Sequence, residues 1–207
     1  MLKKQSGLTI VELLIGLAIG LVITGVVLSV FTTSLINSQG VIQNGKLNDD
    51  LNAVMDIIVS DVQRAGYSNA TPSKTGNPFM QAGTDISVSN GNCILFTYDR
   101  NSNGTVEDNE KFGYRLSGNA IQDRPVGAAF NCGAPISAWE NLTDPNVIII
   151  TAFTVSLSNV AIKVGAGTDT INYRTVSLSI TGHLTTDNTV TKTITRTIKV
   201  YNSRYAP

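Results

Sequence analysis

Asp99 to Glu110, DRNSNGTVEDNE, carries oxygen-bearing side chains at the spacing of a calcium loop. Calcium takes about six to eight oxygen ligands, so it needs several short acidic or amide side chains at alternating positions. Asp99, Asn101 and Asn103 provide them, Gly104 permits the sharp turn, and the Thr105 carbonyl comes next. Glu107 could bind directly or through water, and Glu110 bidentately. The flanking stretches read as strands, which puts the loop in a β-hairpin and not between two helices. NSNG is equally a good turn sequence, and the two asparagines lower the charge such a loop would offer a cation. A calcium loop and a plain turn both remain open.

Other reactive residue types are sparse. Cys93 and Cys132 are too few and too far apart for paired zinc ligands. In an exported chain an even pair reads first as a disulfide; two buried thiols are the alternative. The one histidine, His183, shares an alternation phase with Ser177, Ser179 and Thr181, which places it on a solvent-facing strand face. No nucleophile, base and orienting group are spaced as a catalytic set, and no enzymatic role is expected. VGAGTDT lacks the strand–helix setting of a dinucleotide fingerprint. Lys+Arg and Asp+Glu are each 15, so no basic surplus points to nucleic acid. Charged residues make up 14%, against about 25% in ordinary soluble domains.

The remaining notable charge is Glu12, set in GLTIVELLIGLAIGLVITGVVLSVF from Gly7 to Phe31. The apolar run is long enough to cross a membrane as a helix. Lys3 and Lys4 precede it, so the rest of the chain is expected outside the inner membrane. A cleaved signal peptide should have an apolar region of about 7–15 residues and a small-residue cleavage site, and neither is present. A plain anchor explains the length but gains nothing from a carboxylate. Gly16, Gly20 and Gly25 would let helices approach closely, or are ordinary membrane-helix glycines.

These residues are positioned by two kinds of element. Leu47, Leu51, Val54, Ile58, Val62 and Ala65 recur at spacings of three and four, predicting an amphipathic helix that continues the apolar one. Gly40 and Gly45 are expected to interrupt it, and Gly66 to cap it. From about Asp85 the pattern is β: CILFTYD and KFGYRLSG around the polar loop, then NVIIITAFTVSL, TVSLSITGHL and VTKTITRTIKVY. Trp139, Tyr98 and Tyr114 are expected to pack inside. The order, helix then strands, predicts an α+β fold.

KKQSGLTIVELLIG resembles the class III leader of type IV pilins and type II secretion pseudopilins. The resemblance implies cleavage after Gly7 by prepilin peptidase and methylation of the new N-terminus at Leu8, although the first mature residue is more often Phe. Glu12 then falls at the fifth mature position. It would pair with the Leu8 amine of a neighbouring subunit, neutralising two charges that are each costly in a dry medium. The implied organisation is a leader (1–7), a transmembrane and filament-core helix (8–31), its amphipathic continuation (32–66) and a β-rich globular domain (67–207), the helix packed on an antiparallel sheet. DVQRAGYSN, YDRNSNG and WENLTDPNV are most similar to PilW-type minor pilins, with GspJ-type minor pseudopilins as the alternative. The partners this implies are other minor and major pilins, the inner-membrane assembly platform and a tip adhesin. A membrane-anchored adhesin is a further reading.

Overall fold

In the computed structural model, which describes residues 7, 9–69, 76–165 and 167–206, both predicted helical stretches belong to one element, α1, Ile10–Arg64. Gly40 and Gly45 do not interrupt it. An isolated glycine costs a helix only about 1 kcal/mol relative to alanine, which the flanking turns absorb. The chain divides into two units, Met1–Gly45 and Lys46–Pro207.

In the first unit the large apolar side chains from Ile10 to Phe31 are exposed all round the helix; Val22 is 68% accessible. A helix apolar on every side suits lipid or other helices, not water. Two of its hydroxyls bond the helix backbone: Thr24 Oγ1 donates to Gly20 O at 2.7 Å, and Thr32 Oγ1 to Leu28 O at 3.0 Å. A Cβ added at Gly16, Gly20 or Gly25 would meet nothing within 4 Å.

In the second unit α1 buries Leu47, Leu51, Val54, Ile58 and Val62 of the predicted stripe, together with Met55, and Ala65 just past its end is buried too. The turn after it is made by Gly66, whose φ of +75° favours glycine. The Gly66 N–H leaves the helix and donates to Thr97 O at 2.8 Å. A Cβ there would also lie 2.4 Å from Met80 Cε.

Two antiparallel sheets complete this unit, the predicted antiparallel β-domain. The first has the order β1 (Ser87–Ser89), β2 (Cys93–Thr97), β3 (Lys111–Ser117), β4 (Ala120–Asp123), β5 (Glu140–Asn141). The second has β6 (Ile148–Lys163), β7 (Thr170–Leu184) and β8 (Asp187–Lys199) in that order, with β9 (Arg204–Ala206) also on β7. On β7, Val176, Leu178, Ile180 and Leu184 are buried while Ser177, Ser179, Thr181 and His183 are half-exposed, as the alternation predicts. A bulge between Ile150 and Ala152 shifts the phase of β6. It puts Phe153 and Val155 on the same inner face as Ile148 and Ile150.

β2 is buried on both faces. Ile94 and Phe96 enter the main core with α1 and the second sheet. Cys93 and Leu95 enter a smaller core with Ala134 and Trp139. The long strands follow the helix. Ile148 lies with Lys46 and Asp50 where the helix enters this unit, and Tyr201 N–H donates to Gln63 O at the helix end. The β6–β7 hairpin continues past that point to Lys163 and Thr170.

Candidate functional site

Gly7 is exposed, and Leu8, the expected methylation position, lies outside the described residues. Thr9 and Glu12 form a reciprocal cap at the helix start. Glu12 Oε2 accepts from Thr9 N at 3.0 Å and Thr9 Oγ1 at 2.9 Å, and Thr9 Oγ1 accepts from Glu12 N at 3.3 Å. Thr-x-x-Glu before an apolar run is readable as a capping box, and a reading centred on the membrane cost of Glu12 passes over it. Glu12 therefore has a partner within its own chain. Its Oε1 accepts nothing among the described residues, and the whole side chain is exposed.

Asp99 to Glu110 sits in the predicted hairpin, between β2 and β3. The six candidate ligands are brought into one loop, and each of their side-chain carboxylates takes hydrogen bonds from the loop itself. Asp99 Oδ1 accepts from Asn103 N at 3.1 Å, and Oδ2 from Asn69 N and Gly104 N, both at 3.0 Å. Glu110 Oε1 accepts from Arg100 N at 2.9 Å, and Oε2 from Glu107 N at 3.0 Å. Glu107 accepts from Asn101 Nδ2 at 2.8 Å and Asn103 Nδ2 at 3.2 Å. Asn103 Oδ1 accepts from Thr105 N at 2.8 Å. Asp99 and Glu110 are almost fully buried. No group of three His, Cys, Asp or Glu among the described residues is placed to hold a metal. The loop's own amides order these carboxylates.

Cys93 and Cys132 form a disulfide with Cα atoms 6.1 Å apart. It ties the segment after β4 over the outer face of β2. Arg115, buried and with no carboxylate partner among the described residues, holds the same segment. Its Nη1 donates to Cys132 O at 3.1 Å and Ala134 O at 2.6 Å, and its Nη2 to Pro135 O at 2.9 Å. The guanidinium lies 4.5 Å from the Trp139 ring centroid. Burial pulls its pKa down. Nothing in the sequence marks this arginine, because its partners are the Gln122 side chain and three backbone carbonyls.

The helix and the first sheet meet at Asp61. Tyr114 Oη donates to Asp61 Oδ2 at 2.6 Å and Tyr98 Oη to Oδ1 at 3.3 Å; Arg64 pairs with Oδ1 at 2.6 Å. Burial, and then the neighbouring carboxylate, push the Tyr98 phenol up to about 12 and raise Tyr114 as well. With Trp139, both tyrosines are buried, as expected. His183 Nδ1 is 2.9 Å from Leu184 O.

The family model described as the prokaryotic N-terminal methylation motif matches residues 2–28. The model described as prepilin peptidase-dependent protein B matches residues 41–200. A curated protein of that description from Escherichia coli (strain K12) is 26% identical over 163 residues, covering 76% of this chain and 81% of the relative. No solved structure matches.

Proposed function

We propose, since the chain belongs to the prepilin peptidase-dependent protein B family, that it is a minor pilin of a type IV pilus that primes filament assembly and stays at the tip. The observation carrying this reading is the methylation motif leading directly into a helix whose apolar side chains are exposed on every side. Such a helix is a membrane anchor before assembly and can pack among other pilin helices afterwards. The role is structural, not enzymatic. Prepilin peptidase would cut after Gly7, and the new amine on Leu8 would meet Glu12 Oε1 of a neighbour. The partners are major and minor pilins and the assembly platform through the helix, and a tip adhesin through the β-domain.

Intact mass and N-terminal sequencing of the protein from native membranes test the processing. A chain starting at N-methylated Leu8 is expected; a full-length chain, or one cut beyond Phe31, overturns the reading. The same leader serves a minor pseudopilin of type II secretion, so gene deletion separates the systems. Loss of surface filaments and twitching supports the pilus, and loss of enzyme export supports secretion.

A further inference from the structure

The second sheet has two open edges, and they are defended differently. β8 carries Lys192, Arg196 and Lys199 along its length, the kind of charge that discourages strand pairing. The distal part of β6 carries a single charge, Lys163 at its end. Val155 N–H points away from β7, donating to Gly91 O at 2.7 Å. Val164 N–H points into the hairpin, to Asp169 O at 2.9 Å. Between them the strand pairs with β7 without a bulge. By alternation, the N–H and C=O groups of Leu157, Asn159, Ala161 and Lys163 face the free edge. None of them has a partner among the described residues.

Beside this edge Val160 is 58% and Ile162 52% accessible, on the outer face with Tyr173. Lys163 ends the strand and pairs with no carboxylate among the described residues. An open row of backbone groups, β-branched neighbours and one cation at the end describe a strand's other half.

We infer that β6 from Leu157 to Lys163 is a strand-addition site. It accepts an extended segment of a partner protein carrying β-branched residues level with Val160 and Ile162 and a carboxylate near Lys163. Main-chain hydrogen bonds supply the affinity, and the apolar and acidic side chains supply the specificity. This deepens the assembly reading by giving the β-domain a specific docking edge.

The test uses the full-length chain in detergent micelles and a fluorescent, end-blocked peptide of sequence EVTVTVE, read by anisotropy. The peptide is expected to bind saturably, and to bind at least tenfold more weakly when its alternate amides are N-methylated. Ala161→Pro removes an edge N–H without removing a bond to β7, and is expected to weaken binding at least tenfold. Ile162→Lys, a change at an exposed side chain that leaves the backbone intact, should do the same and serves if the proline variant does not fold. Absence of binding, or equal binding to wild type and Ile162→Lys, overturns the site. So does a wild-type dimer that Ile162→Lys abolishes, because the occupant would then be a second copy. Leader processing is unaffected by any of these outcomes, so failure here leaves the pilin reading to its own test.

Discussion

At the scale of single residues, Glu12 has two separable tasks. One is the cap shared with Thr9; the other is the proposed contact with a neighbour's N-terminus. Glu12→Ala is expected to leave membrane insertion intact and to reduce filament number sharply, counted by electron microscopy. Thr9→Ala removes the hydroxyl half of the cap and keeps the carboxylate, so it should assemble close to normally. Equal defects in the two variants would assign the effect to the cap. Asp99 allows a similar separation. It accepts three backbone N–H groups while buried, so Asp99→Ala is expected to cost about 2–3 kcal/mol in denaturant unfolding. Since each carboxylate already has amide donors, millimolar calcium should leave the melting temperature of the wild type unchanged. A rise that Asp99→Ala abolishes would give the loop a cation.

At the scale of elements, the tie between α1 and the first sheet is pH-dependent in a defined direction. Tyr98 and Tyr114 hold their protons in the folded state, through burial and the Asp61 carboxylate, above the ordinary tyrosine value of about 10. The folded state therefore binds more protons once the pH passes 10. The stabilising contribution is complete below that pH and is lost as pH rises to about 12 for Tyr98. The expected fall is up to about 1.4 kcal/mol per pH unit for each tyrosine, and Tyr98→Phe should make the alkaline limb shallower. The helix stripe, the Gly66 stop and the long strands were readable from spacing alone, because burial enforces one face per element. The division into two sheets was not, since β2 is apolar on both faces and a run such as CILFT carries no period. Nor was the role of Arg115. Its four hydrogen-bond acceptors, Gln122 and the carbonyls of Cys132, Ala134 and Pro135, converge only after the chain has folded. At the loop, spacing alone left calcium and turn open; the hydrogen bonds show how the turn is made.

At the scale of the whole molecule, the disulfide closes a loop across a separation of 39 residues. Chain-entropy arguments give such a link about 4 kcal/mol. Reduction, or the paired change of Cys93 and Cys132 to Ser, is expected to lower the denaturant midpoint by up to that amount, with the smaller core around Trp139 loosening first. Tryptophan fluorescence reads that region directly, because Trp139 is the only tryptophan. The pairing of β6 with β7 along their length, beside the last turns of α1, has a mechanical meaning. Tension entering at Lys46 and leaving at the hairpin runs parallel to the strands. It loads the cross-strand bonds and the interlocked side chains in shear, all at once, and does not peel them one after another. A subunit gripped by its helix at one end and by its β6 edge at the other would transmit a pull without unzipping.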